Sequence, residues 1–394
     1  MTTETYQAPD SVSGLQTKGI GTAVLGLLLT GAGFAMAGLD RFYEAYLVAY
    51  VFWVGVSLGS LALLMVHHLS GGAWGVVIRR PLEAATRTLP LMAVLFLPIV
   101  AGMGHLYHWT HADAVAADPI MQAKEAYLNA PFFLARQVFY FACWIVMATL
   151  LNRWSAEQDR TGDPALAVKM ARLSGGGLLV FGLTVTFAAV DWTMSVNPHW
   201  FSTIWGMLYM VGQGLSALAF VIAVLVMLST VPPLDRVVNA SHLHDLGKLL
   251  FAFLMLWAYL SFSQFIIIYS ANLAEEIPHY LVRSAGGWQW VGWSLVLLHF
   301  ALPYGLLLAR DTKRNFNRLR VIAMWVVVIR LLDYYWHVAP EFHTTGLSVT
   351  LVDVALPIAL GGIFVAVFAA QLKGRPLLPL QDPGLAKALT HHTH

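Results

Sequence analysis

Long apolar runs alternate with short polar stretches along the whole chain. Runs able to cross roughly 30 Å of hydrocarbon at about 1.5 Å per residue cover residues 20–38, 46–69, 89–108, 132–151, 173–194, 203–230, 246–269, 288–309, 321–337 and 351–372. The pattern predicts an all-α polytopic membrane protein of about ten transmembrane helices. The first and ninth runs are the shortest, and the sixth is long enough to require tilt or an emergent end. Pro90, Pro98, Pro303 and Pro357 lie in or at the start of spans and predict local kinks. Small residues four apart, Gly55/Gly59 and Gly362/Ala366/Ala370, let helices approach closely. Polar intervals on one side are short except 110–130, which can form a surface helix, and 271–287. Neither face has room for a large soluble domain, so any redox centre or catalytic domain has to come from partner subunits.

Composition fixes the class. The chain is 58% hydrophobic and 11% charged, with mean hydropathy +0.67, against roughly 25% charged in soluble domains. A net charge of +2 points to no nucleic-acid or acidic partner. The single cysteine, Cys143, rules out an internal disulfide, an iron–sulfur cluster, a thiolate zinc site and a C-x-x-C-H haem attachment. Of the 23 Lys and Arg, Arg41, Lys124 and Arg283 fall in loops on one side and Arg136 and Arg330 within spans. All the rest fall on the side holding both termini. The positive-inside rule puts that side in the cytoplasm. Residues 1–17 are polar and slightly acidic, unlike a signal-peptide n-region, so the first span is expected to be retained. The expected organisation is a cytoplasmic segment 1–19, one transmembrane domain 20–372 and a cytoplasmic tail 373–394. That tail reads as a disordered extension or a docking strand, with weak metal-binding potential at His391, His392 and His394.

Candidate chemistry concentrates in three stretches. The outward turn 191–206 reads Asp-Trp-Thr-Met-Ser-Val-Asn-Pro-His-Trp-Phe-Ser-Thr-Ile-Trp-Gly. Asp191 ends a helix at its negative pole, where a carboxylate is disfavoured unless a cation or proton accompanies it. It is either solvated in an interfacial turn, with Trp192, Trp200 and Trp205 as belt residues, or a functional carboxylate. Arg136, at the outer side of the fourth span, is a plausible partner. The ninth span carries Arg330, Asp333 and His337 at helical spacing on one face. Arg330 lies about 15 Å from the cytoplasmic boundary, and His299 on the preceding antiparallel span about 16 Å from it. The two therefore share a depth and meet if their faces agree. Ionisable groups in hydrocarbon cost about 2.5 kcal/mol or more, and the plain alternative is a self-neutralising Arg330–Asp333 pair. The third span ends in Gly104-His-Leu-Tyr-His-Trp-Thr-His111. His105 and His108 share a face near the outer boundary, and His111 is expected in water. Asp353 reads as a helix cap. Gln213 and Gln264 read as bridges between helices. His67 and His68 either feed protons inward or mark the interface. A haem held by His105 and His337 is the one tempting metal pair and is set aside.

The 191–206 turn, the Gly104-His-Leu-Tyr-His-Trp end and the ten-span layout together resemble the F subunit of bacterial alternative complex III, over nearly the whole chain. That family is related to NrfD-like and polysulfide-reductase membrane subunits. The resemblance implies two four-helix bundles (about 46–194 and 203–337) with peripheral spans one and ten, in a bacterial inner membrane. It implies an NrfD-like membrane subunit, an iron–sulfur subunit and multihaem cytochrome c subunits as partners, which carry the haem c and the clusters. Menaquinol or another quinol is the implied donor, oxidised in the sister subunit, with a second quinone-associated site in this chain as a further implication; no cofactor is expected to be bound by this chain. Residue by residue, it places Asp191, His299, Arg330, Asp333 and His337 on a proton path, with His105 at the outer exit. A secondary transporter and a purely structural membrane anchor are the other classes the sequence allows.

Overall fold

A computed structural model describes residues 8–232, 234–373 and 375–390; His391, His392 and His394 lie outside them. The protein is an all-helical, polytopic membrane protein. Among the described residues nine helices are long and apolar enough to cross a membrane. The first, α1 (Asp10–Ser70), runs through the 39–45 segment expected as a loop and changes course at Gly38, with φ 81° and ψ −177°. That conformation suits glycine, and residues 39–45 contain no proline or further glycine to end the helix. Each of its two arms exceeds the roughly 20 residues a crossing needs.

Gly71 and Gly72, both at positive φ, turn the chain into α2 (Ala73–Thr86). The third span is broken into α3 (Leu89–Leu95), α4 (Leu97–Ala101) and α5 (Met103–Leu106), with Pro90 and Pro98 each in a first turn. The 110–130 segment folds into two short helices, α6 (Ala112–Ala117) and α7 (Pro119–Lys124). Spans four and five are α8 (Ala130–Thr161) and α9 (Pro164–Trp192), with Asn129 and Asp163 accepting from first-turn amides. Then follow α10 (Trp205–Leu228), α11 (Ala240–Ala271) and the short α12 (Pro278–Arg283). The eighth span comprises α13 (Trp288–Ser294), a π-helical stretch Leu295–Ala301 and α14 (Leu302–Leu308). Pro303 lacks the amide that would bond the carbonyl of His299 four residues back, which accounts for the altered register. After α15 (Arg310–Arg314) come α16 (Phe316–Phe342), α17 (Leu351–Lys373) and α18 (Leu385–Leu389).

The second arm of α1 and α10 form the centre, and α10 also packs on α9, α11 and α16. Their closeness depends on missing side chains: a Cβ at Gly59 would lie 2.1 Å from the carbonyl oxygen of Gln213. The first arm pairs antiparallel with α17. Gly19, Gly26 and Gly33 face Ala366, Ala359 and Val352, a step of seven on both helices. Outward faces such as Met36 (83% exposed), Leu179 (73%) and Val138 (71%) supply the apolar belt that lipid covers.

The polar side of α2 is not a solvated loop surface. Arg79 and Arg80 are buried, sharing Glu83 at 3.0 and 2.6 Å and pairing also with Asp382 and Asp159 respectively. The chain end from Arg375 to Thr390 is docked against this network, with Leu377, Leu378 and Leu385 buried; of the two expectations for the tail, docking describes these residues. Lys373 bonds Gln16 at 2.6 Å, so the start of α1 and the end of α17 lie side by side.

Candidate functional site

One side of α16 carries Arg330, Asp333, His337 and Glu341 at steps of three and four residues. The Arg330 guanidinium pairs with the Asp333 carboxylate, reaches Ser216 Oγ at 3.4 Å and lies 4.7 Å from the Tyr334 ring centre. It fits because Gly212 of α10 has no side chain; a Cβ there would sit 2.1 Å from Nη2. His337 Nδ1–H donates to the Asp333 carbonyl at 2.7 Å and lies 3.6 Å from Oδ1.

His299 comes to this cluster from the π-helical stretch. It is fully buried, its ring centre 3.9 Å from that of Trp257. It lies within electrostatic reach of Asp333, Arg330 and His337. The depth match between spans eight and nine is therefore also a match of faces. Neither ring nitrogen of His299 has a hydrogen-bond partner, and neither do Asp333 Oδ1, Tyr209 Oη and Tyr334 Oη. A cavity of about 10 Å³ lies between Tyr209, Trp257, Asp333, Tyr334 and His337. That is the space of one water molecule, and a polar lining with unfilled valences is what holds one.

Toward the turn 191–206 the polar groups continue. Arg283 of α12 donates to the carbonyls of His337 (2.7 Å), Trp336 (3.1 Å) and His279 (2.8 Å), and to Glu341 Oε1 at 2.9 Å. His279 Nδ1 is 3.0 Å from Glu341 Oε1, and Asn197 Nδ2 is 2.9 Å from Oε2. Burial, reinforced by Arg283, pushes His279 down to about 3, so the ring is neutral and donates Nδ1–H. It stacks on Trp200 at 4.0 Å, while Trp205 touches both His279 and His337. Trp192, Trp200 and Trp205 are thus buried packing groups, not belt residues.

No family model and no curated protein matches the chain.

Asp191 belongs to a separate, closed arrangement and is fully buried rather than solvated. Arg136 grips it with Nε and Nη2, both at 2.9 Å. Tyr127 Oη (2.9 Å), Tyr140 Oη (3.1 Å) and Gln137 Nε2 (3.1 Å) donate as well. A carboxylate offers about four lone-pair positions, so five donors saturate it. The Arg136 guanidinium is in turn stacked 3.8 Å from the Tyr127 ring. His105 stands apart from both groups: it is exposed, pairs with Asp40 at 2.5 Å and stacks on Tyr43. His108 and His111 are exposed as well.

Asp353 accepts from the amide and hydroxyl of Thr350 at 2.7 and 2.8 Å, as a cap does, but it also binds Arg41 at 2.6 Å. Gln213 and Gln264 are buried, yet Gln213 Oε1 and Gln264 Nε2 have no partner, so the bridging expected of them is incomplete. Among the described residues no group of three or more His, Cys, Asp and Glu could hold a metal ion. His279, Arg283 and Glu341 are members of the column that the sequence pattern had not brought out. Glu341 was legible as the next four-residue step after Asp333 and His337. Nothing in the spacing of α12 gives away the other two.

Proposed function

We propose that this chain is a membrane subunit of a quinol:electron-acceptor oxidoreductase of the alternative complex III type, and that it carries protons across part of the bilayer. On this reading it sits in a bacterial inner membrane with both ends cytoplasmic. Spans 46–194 and 203–337 act as two four-helix bundles flanked by the first and last spans. Quinol oxidation, with menaquinol as the favoured donor, belongs to the NrfD-like sister subunit beside the iron–sulfur protein, and haem c to the cytochrome subunits. None of these groups is assigned to this chain.

The observation that carries the reading is the water-sized cavity at Asp333. It is lined by titratable and hydroxyl groups with unfilled hydrogen-bonding capacity, in a bilayer where each such group is costly. Proton relays need donors and acceptors within hydrogen-bond or single-water reach. Asp333 and His337, with the hydroxyls of Tyr209 and Tyr334, line such a space at mid-depth, and His299 is buried beside them with both ring nitrogens unpartnered. The proposed path leaves through His279 and Glu341, which Arg283 and Asn197 hold in place by hydrogen bonds, toward the outer turn. Asp191 serves beside it as a fixed anion, and His105 with Asp40 is a surface group at the same side. The competing reading, a structural anchor, is favoured by the Arg330–Asp333 pair.

Asp333→Asn in the intact complex separates the two, measured in proteoliposomes with a pH-sensitive dye. The relay predicts an assembled complex with less proton release per electron. The anchor predicts poor assembly, because Arg330 is left buried and unpaired at a cost of roughly 3–5 kcal/mol. An assembled complex with unchanged proton yield and rate overturns the relay.

A further inference from the structure

The buried charge network beside the chain ends does not balance. Arg79, Arg80 and Arg375 are matched by Glu83, Asp159 and Asp382; Arg375 reaches Glu83 at 3.6 Å. Arg87 and Arg153 remain, and among the described residues no carboxylate lies within 4.0 Å of either. Both line a groove of about 460 Å³ between the α2–α3 junction, α8 and Arg375. Arg87 is half-buried and donates Nη2–H to the Gln371 carbonyl on the groove wall, but its Nε has no acceptor; Arg153 is exposed, and the neighbouring Asn152 Oδ1 is also unpartnered. Two uncompensated guanidinium groups over a groove attract an anion, and their planar donors suit phosphate oxygens.

The groove wall includes Pro90, Ile145 and Ala148. Deeper along the same helices, Val94 (60% exposed) and Leu97 (61%), and on α8 Val138 and Val146, present bare apolar surface. A ligand with a phosphate head and an acyl tail matches both halves. A free phosphate matches only the first.

We propose that this groove is a binding site for one anionic phospholipid of the leaflet beside the chain ends. Arg87 and Arg153 hold the phosphate, and the first part of an acyl chain lies against Pro90, Ile145 and Ala148. Such basic pockets between helices at the membrane boundary are where anionic headgroups are recognised. The site does not depend on the proton-path reading, since it shares no residue with the Asp333 column.

The test is native mass spectrometry of the full-length chain, stripped of lipid in neutral detergent and titrated with phosphatidylglycerol or phosphatidylcholine. One phosphatidylglycerol should be retained per chain in preference to phosphatidylcholine. The pair Arg87→Gln and Arg153→Gln should weaken that adduct about 30-fold, at roughly fivefold per cation, while the pair Arg87→Lys and Arg153→Lys keeps the preference. Thr149→Trp, at an exposed position of the groove wall, fills the groove without changing charge, should abolish the adduct and serves if the glutamine pair does not fold. Equal retention of the two lipids, or full retention in both the glutamine pair and Thr149→Trp, overturns the proposal. Displacement of the lipid by millimolar inorganic phosphate at equal occupancy overturns it too, and makes free phosphate the ligand.

Discussion

Replacing Asp191 by Asn keeps the side chain's shape and removes its charge, which tests whether this carboxylate is a fixed anion. Oδ2 takes Arg136 Nε, Gln137 Nε2 and Tyr140 Oη; Oδ1 takes Arg136 Nη2 and Tyr127 Oη. Whichever position the amide nitrogen occupies, two or three donors then face another donor. Unsatisfied buried donors cost about 1–3 kcal/mol each, and stranding a buried partner charge costs about 3–5 kcal/mol. The two tyrosine hydroxyls can rotate away and Arg136 keeps slight exposure (9% for its side chain), so the lower end, about 3 kcal/mol, is expected. The assay is thermal unfolding of the purified full-length chain in neutral detergent, followed by Trp fluorescence. Asp191→Asn should unfold well below the parent, and Arg136→Gln should do likewise. The double variant should lose less than the sum, since a coupled pair is not additive. An Asp191→Asn protein as stable as the parent would refute the argument, because the carboxyl would then be one that tolerates being neutral.

Several other outcomes are expected. Gly212→Leu should displace the Arg330 guanidinium and sharply reduce folded yield, whereas Gly182→Leu, where a Cβ meets nothing within 4 Å, should be tolerated; equal yields would contradict the packing. Cysteines placed at the exposed positions His199 and Arg318 should react with an impermeant reagent from outside and from inside respectively, and the reverse would invert the proposed orientation. His279 is held at about 3 when folded against an ordinary 6.5, so the unfolded chain binds the extra proton between those values. Its contribution is complete above about pH 6.5 and is lost as pH falls, by up to about 2 kcal/mol at pH 5. The stability gap between the parent and His279→Gln should shrink accordingly from pH 7 to 5, and a constant gap would show that the ring is not kept neutral.

Much of the fold was legible because helix length and hydropathy are local properties. The depths of Arg330 and His299 follow from counting at 1.5 Å per residue, and the geometry of α16 then sets Asp333 and His337 beside them. Counting charges assigns a side, however, not a degree of burial. Arg79 and Arg80 read as loop cations because their partners Asp159 and Asp382 are remote in sequence. The helix through residues 39–45 was obscured by Asp40, Arg41 and Glu44, which interrupt the apolar run yet are ordinary helix formers. His279 and Arg283 were hidden for a different reason. They lie in a short helix whose only distinction is the tertiary pocket around it.

The pairing of the first arm with α17 has a consequence for synthesis. Arg41 and its partner Thr350 are 309 residues apart, so at about 5–20 residues per second the ribosome needs roughly 15–60 s to supply the second after the first. Throughout that interval the Gly19, Gly26 and Gly33 edge waits in lipid without its mate. Glycine makes the wait harmless, since it leaves no bulky knob to catch a wrong neighbour and no polar side chain to strand. The span that closes the molecule is thus made long after the helix it closes on. A nascent chain halted before residue 351 would keep the central helices but leave a loosely tethered first helix, an open end for quality-control proteases to find.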